Sequence, residues 1–177
     1  IDLPGELNGN LKPLFSRGAP QVNFATASFG QGGAVTPIGL IKAVAGIANN
    51  GKMMQPYVNS ASAPKQIAAV ISPSTARLVT HMMVSAVDKA NVAAIKGYSI
   101  AGKTGTAFVP DFKHGGYTVD VIDTYVGFGP ANNPRFIALI KLDEPEGAPL
   151  AGVTVVPAFR DLAQFILNYY NVPPDRL

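Results

Sequence analysis

Cysteine is absent from this 177-residue chain, and charged residues make up only 14% of it. Without cysteine there is no disulfide framework and no thiolate chemistry, although that absence suits an exported protein as well as a cytosolic one. The scarcity of charge, beside 47% hydrophobic residues, excludes intrinsic disorder, which needs the opposite balance. Two readings of the apolar balance stand side by side: a compact domain with a large core, or a surface built to lie against another piece of protein. Lysine and arginine never occur two in a row, and the net charge is only +3. That argues against a nucleic-acid-binding arm or a polybasic membrane patch, so no nucleic-acid partner is expected. No apolar run reaches the length of about 18 residues that a membrane-spanning helix needs. The chain opens at Ile1-Asp2-Leu3-Pro4 with no methionine and no basic-then-apolar signal pattern. The expectation is a fragment or processed product, with any export signal or membrane anchor upstream.

The length suits one domain. Residues 1–35 are rich in Gly, Pro and Asn and read as an ordered loop region. Thr36-Pro37 then has the form of an N-cap followed by proline at the first helical position, and Asn49-Asn50-Gly51 supplies a stop. The helix predicted from Pro37 to Asn49 carries Ile38, Leu40, Ile41, Val44, Ala45, Ile47 and Ala48 around most of its circumference, which predicts burial. Residues 66–71 read as a short strand. Ser72-Pro73 repeats the cap and proline and opens a helix to about Asp88, with a stripe of Val79, Met82, Met83, Ala86 and Val87. The methionine pair there reads as core filler rather than a ligand site. Three strand-like runs follow: Tyr98–Val109, Ile122–Gly129 and Arg135–Asp143. The last two are close enough across Asn132-Asn133-Pro134 to form a hairpin. A closing helix from Pro157 to Tyr170 would put Ala158, Leu162, Phe165, Ile166 and Tyr169 on one side. This order predicts an α/β (α+β) domain in which helices pack on an antiparallel sheet.

The most informative segment is Ala101-Gly102-Lys103-Thr104-Gly105-Thr106-Ala107. It places one ammonium group, two hydroxyls and a glycine close together on a strand. The lysine supplies positive charge, and each threonine hydroxyl can donate to a carboxylate. Gly105 removes a Cβ, so another backbone can approach the strand edge. Such an edge suits an extended peptide ending in a carboxylate, bound by strand addition and held by charge. An ordinary edge strand whose lysine blunts aggregation would need no more than a bare Lys-Thr-Gly.

The segment resembles the third motif of the penicillin-recognising serine enzymes, and nearly the whole chain resembles the transpeptidase domain of their class B penicillin-binding proteins. Ile1 to Glu6, Phe29-Gly30-Gln31-Gly32, Thr36-Pro37 and Ala48-Asn49-Asn50-Gly51-Lys52 with Pro56 follow that family's order. So do Gly97-Tyr98 through Ala107, Val126-Gly127-Phe128 with Pro130, Asn133-Pro134-Arg135, Asp143-Glu144-Pro145 and Val172-Pro173-Pro174-Asp175. The resemblance implies a peptidoglycan D,D-transpeptidase acting at the extracytoplasmic face of the bacterial inner membrane. Its partners would be stem peptides ending in D-Ala-D-Ala, and β-lactams. Lys103 and Thr106 are then the catalytic candidates, Lys103 by holding the proton and charge network. Thr104, Gly105 and Thr106 are the substrate-binding candidates. The two hydroxyls would take the ligand's carboxylate, and the Thr106 backbone N–H would be one of two oxyanion donors.

The chain departs from the pattern in one respect. The family's nucleophile is a Ser-x-x-Lys serine, supported by a Ser-x-Asn element, both upstream of Lys-Thr-Gly. No Ser-x-Asn occurs here, and the single Ser-x-x-Lys is Ser62-Ala63-Pro64-Lys65. It holds a proline and falls in a loop rather than at a helix start, so Ser62 is not expected to be the nucleophile. The implied reading is that residues 1–177 are the C-terminal portion of one transpeptidase domain, inert alone, whose nucleophile-bearing half is its main partner. The alternatives are a β-lactamase or carboxypeptidase relative, and a non-catalytic module that binds peptidoglycan or β-lactam. Reading the gene ahead of Ile1 separates these.

Other candidates read locally. His81 belongs to a helix face. His114, near Asp111 and Asp120 in a Gly-rich loop, lacks a trustworthy metal-ligand spacing. Phe112 and Tyr117 on that loop would flank the cleft. Asp143, Glu144 and Glu146 read as a solvated turn, and Gly30 and Gly32 complete no phosphate-binding fingerprint. No cofactor and no metal are expected.

Overall fold

The computed structural model describes residues 1–147 and 150–176. Residues 1–35 are not all loop: they hold two short helices, α1 (Lys12–Phe15) and α2 (Gln21–Ala27). Pro13 lies in the first turn of α1, and Pro20 is the N-cap of α2. Elements this short leave no hydrophobic period to read. An isolated bridge between Asn10 and Ala34 closes the region.

Helix α3 (Pro37–Ala48) begins where the cap signal places it, with the Thr36 side chain accepting from the Gly39 N–H. Its expected burial is only partial. Gly46 alone is buried, while Ile38, Leu40, Ile41, Val44 and Ile47 are half-buried. Two strands follow, β1 (Lys52–Met54) and β2 (Gln66–Ala69), paired antiparallel; the sequence pattern signals only the second. Three residues are too few for β1 to show alternation. Helix α4 (Pro73–Ala90) is capped by Ser72, which accepts from Thr75 N–H, and ends at Asn91 in the left-handed region. The buried line of α4 differs from the expected stripe. Ala76 and Val87 are buried with Met83 half-buried between them, whereas Met82 and Ala86 are exposed. Helix α4 packs on both β3 and α3, and the side it turns to them carries Ala76 and Val87 and leaves Met82 outside.

The main sheet has three antiparallel strands in the order β3 (Ala101–Pro110), β4 (Tyr117–Gly129) and β5 (Phe136–Asp143). The hairpin between β4 and β5 forms as expected, Gly129 pairing with Phe136. Helix α5 (Val155–Tyr169) lies over the face of β4 that carries Tyr125 and Gly127. The expected face of α5 is corrected by the structure. Ala158, Leu162, Phe165 and Tyr169 point to solvent and Ile166 is half-buried, while Val155, Val156, Phe159, Ala163 and Leu167 are buried. Both stripes have helical spacing, and Gly127 decides between them. A Cβ at Gly127 would lie 2.6 Å from the Phe159 ring, so the glycine leaves the groove that Phe159 fills. Phe128, Phe159, Ile100, Leu167 and Val155 are the largest fully buried apolar side chains of the core.

The tail after α5 returns to the start of β3. The Ser99 backbone N–H donates to Asp175 at 2.7 Å, and the Ser99 hydroxyl donates to the same carboxylate. Tyr98 donates its phenol to the Val172 carbonyl at 2.7 Å. Arg176 reaches Asp88 of α4 through both terminal nitrogens, at 2.8 and 3.0 Å. Gly97 takes a left-handed φ of +85° there, which a residue with a Cβ adopts only under strain.

Candidate functional site

Strand β3 lies at one edge of the sheet, so its outer side is open to an added chain. The pleat sends Gly102, Thr104 and Thr106 to one face and Lys103, Gly105 and Ala107 to the other. Lys103 and Thr104 are exposed. The Lys103 ammonium donates to the Thr104 carbonyl at 2.7 Å, and among the described residues no carboxylate pairs with it. The Thr104 hydroxyl makes no hydrogen bond to another described residue, so it remains a free donor. Gly105 has a structural reason besides access: a Cβ there would lie 2.5 Å from Thr124 Oγ1 on the paired strand.

Behind this edge lies a polar cluster that the motif does not announce. Thr106 pairs in register with Asp123, which is fully buried. The Thr106 hydroxyl donates to Asp123 Oδ1 at 2.8 Å and accepts from the Ala151 N–H at 3.2 Å. The Thr154 hydroxyl donates to Asp123 Oδ2 at 2.7 Å. Thr154 is the N-cap residue of α5, yet its side chain caps nothing. The signal for Asp123 was the alternation Val121, Asp123, Tyr125, which puts a carboxylate on the buried face of a strand.

Next along that face, Tyr125 is buried, its ring 4.6 Å from that of Phe159. Its hydroxyl has no hydrogen-bond partner among the described residues, and burial pushes the phenol up to about 12. Gly102 makes this placement possible, since a Cβ there would lie 1.9 Å from the Tyr125 oxygen. The motif strand is therefore seated on a phenol at one position and tied to a carboxylate at another.

The remaining candidates lie apart from this cluster. Ser62 falls in a turn between β1 and β2, and its hydroxyl is bonded to neither Lys65 nor β3. His114 stands 3.0 Å from Asp111, whose carboxylate also accepts the N–H groups of Lys113 and His114. Those bonds hold Asp111 below the usual carboxylate range. Phe112 is almost fully exposed on the connection from β3 to β4, and Tyr117, half exposed, is the first residue of β4 rather than part of that loop. Asp143 pairs with Lys141, and Glu144 takes a left-handed φ of 51° in the following turn. Gly30 and Gly32, at φ +90° and +77°, serve the turn after α2. His81 is exposed on α4 and lines a cavity of about 320 Å³ with Arg77, Asn50, Asn132 and Arg176. None of Lys103, Thr104, Gly105 or Thr106 borders that cavity.

Comparison with known proteins places this geometry. Residues 1–164 match the penicillin binding protein transpeptidase domain. The peptidoglycan D,D-transpeptidase FtsI of Escherichia coli is 34% identical, over 100% of this chain and 30% of its own length. The transpeptidase domain of Burkholderia pseudomallei penicillin-binding protein 3, solved without ligand, superposes with a TM-score of 0.85 at 32% identity. It is matched over 100% of this chain and 54% of its own. Penicillin-binding protein 3 of Mycobacterium tuberculosis, solved with ampicillin, gives 0.82 at 29% identity, over 98% of this chain and 43% of its own. The chain thus spans under a third of that curated relative and about half of those solved structures. A family match across all but the last residues of the chain, with Lys103-Thr104-Gly105-Thr106 on an open sheet edge, leads to one conclusion: the chain belongs to the penicillin-binding protein transpeptidase domain family.

Proposed function

We propose that residues 1–177 are the C-terminal portion of one peptidoglycan D,D-transpeptidase domain and supply one wall of its cleft. The observation that carries this reading is the edge position of β3, which presents the Lys103 ammonium on one face and the Thr104 hydroxyl on the other, neither paired with a described side chain. A stem peptide ending in D-Ala-D-Ala adds along that edge, its carboxylate meeting the Thr104 and Thr106 hydroxyls and the field of the Lys103 charge. A serine from the portion outside this chain attacks the penultimate carbonyl, and the Thr106 backbone N–H donates to the oxyanion that forms. Collapse of that intermediate breaks the peptide bond and releases the terminal D-Ala, which takes up a proton. The amine of a second stem peptide then attacks the acyl-enzyme, forming the cross-link and returning the serine. A β-lactam enters the same site and stays as the acyl-enzyme. The reaction takes place at the extracytoplasmic face of the inner membrane, with the anchor in the upstream portion. Among the described residues no helix is long and apolar enough to cross a membrane.

Two features support a portion that needs the rest of its domain. Only one Ser-x-x-Lys is present and it lies in a turn, with no Ser-x-Asn. No residue before Gly46 is buried, and Leu7, Phe15 and Phe29 there are 76%, 80% and 71% exposed. Apolar surface on that scale is covered in folded proteins by another segment or partner.

The test is acylation of the complete protein by penicillin. Lys103→Ala should slow acylation by about a hundredfold, the scale of a lost electrostatic contact in the transition state, and Lys65→Ala should leave it nearly unchanged. Equal losses would remove the reason for assigning the site to β3.

A further inference from the structure

The C-terminal tail grips three consecutive residues at the root of β3. The Asp175 and Arg176 N–H groups both donate to the Gly97 carbonyl, at 3.0 and 3.1 Å. The Tyr98 phenol donates to the Val172 carbonyl at 2.7 Å. Asp175 Oδ1 accepts the Ser99 N–H at 2.7 Å, and Oδ2 accepts the Ser99 hydroxyl. The same Oδ2 takes the Asn132 side-chain amide at 3.3 Å, from the turn that joins β4 to β5. Ser99 is buried, and its carbonyl accepts the Ala131 N–H of that turn at 2.8 Å. Asp175 therefore spans the start of β3 and the end of β4 with one carboxylate.

The place of β3 in the sheet gives this brace its purpose. Among the described residues β3 is paired on one side alone, by β4, and its outer side stays open for substrate. The ladder with β4 begins at Ala101, opposite Phe128. Gly97, Tyr98 and Ser99 lie ahead of it, and the tail holds them instead. Ile100 and Ala101, the next two residues, have almost no exposure. A close-packed interior passes a displacement on rather than absorbing it. Lys103 follows four residues after Ser99, about 13 Å along an extended strand. A misplacement of about 1 Å, caused far from the chemistry, can cost about a hundredfold in rate. Hydrogen bonds to a carboxylate are among the stronger tethers available against such a shift.

We propose that Asp175 is a positioning residue for acyl transfer: it braces Gly97 and Ser99 so that Lys103 and the Thr106 backbone N–H stand where the substrate needs them. It touches neither the substrate nor the reacting atoms and acts through Ser99 and the strand. The side chain of its neighbour Arg176 serves a different end, since it ties the tail to Asp88 of α4. The two residues thus separate fastening of the strand from fastening of the tail. This rests on the reading of β3 as the strand that carries the site.

The experiment uses the complete protein and follows acylation by benzylpenicillin over a range of concentrations. This separates the acylation rate constant from the affinity of the complex that precedes it. Lys103 and the oxyanion donor act in the transition state, so a displaced strand shows in the rate constant. A misfolded fraction lowers the yield of adduct instead. Asp175→Ala should lower the rate constant by about tenfold or more. Asp175→Asn keeps an oxygen for the Ser99 N–H but loses the charge, so it should stay within about threefold of the unmodified protein. Arg176→Ala removes an ion pair yet keeps its backbone N–H, and should stay within about twofold. A second readout needs no ligand: amide exchange across residues 99–107 should quicken in both Asp175 variants and not in Arg176→Ala. An unchanged rate constant in Asp175→Ala overturns the proposal. Where that variant does not fold, unchanged exchange in Asp175→Asn overturns it. An equal loss of rate in Arg176→Ala does so as well, because the tail would then act through stability alone. If Lys103→Ala leaves the rate constant unchanged, the reading of β3 itself falls, whatever the Asp175 variants do.

Discussion

Tyr125 holds its phenol under β3 with no hydrogen-bond partner among the described residues, at the point where Gly102 makes room. Removing the oxygen should therefore help. Tyr125→Phe should leave stability unchanged or raise it by about 1 kcal/mol, since an unsatisfied buried hydroxyl is lost. It should also change the alkaline limb of the stability curve. The phenol is raised from 10.0 to about 12 by burial, so the unfolded chain gives up its proton first. Stability from this group is present below the unfolded value and lost as pH rises toward the folded one. Denaturant titrations between those two values should show a steeper loss in the unmodified protein than in Tyr125→Phe; identical slopes would refute the assignment. That Lys103, Thr104, Gly105 and Thr106 lie on a strand was legible in the sequence because a strand motif is local. The Asp123 and Tyr125 contacts depend on register with a second strand, which no local spacing displays.

Helices were legible in their existence and their starts, less so in their faces. Thr36-Pro37 and Ser72-Pro73 announce α3 and α4, and both caps form. Capping chemistry involves residues within one turn, so sequence carries it. The buried side of α5 depends on Gly127, far away in sequence, and two apolar stripes compete until that groove is known. The consequence is measurable in denaturant unfolding of the complete protein. Phe159→Ala should cost about 3–5 kcal/mol, as for other large core aromatics. Phe165→Ala, on the stripe that faces outward, should cost far less. Similar costs would mean that the outer stripe is also part of a core.

At the scale of the whole molecule, the apolar balance that composition leaves ambiguous resolves unevenly. The core gathers on the C-terminal side: Val87, Ile95, Ile100, Tyr125, Val155, Phe159 and Leu167 form one cluster. Nothing ahead of Gly46 joins it. Produced alone, the chain should self-associate in sedimentation and take up no penicillin covalently by intact mass. A stoichiometric adduct on Ser62 would overturn the assignment of the nucleophile to another portion of the protein.

The return of the tail to Ser99 has a consequence in time. Asp175 lies 76 residues beyond the backbone N–H it accepts from, and Arg176 lies 88 beyond Asp88. A chain delivered N-terminus first offers the Lys103 strand long before the clamp at its root exists. The strand that carries Lys103 is thus fastened by residues that arrive well after it, and a product stopping short of Asp175 would carry the whole motif on an unfastened strand.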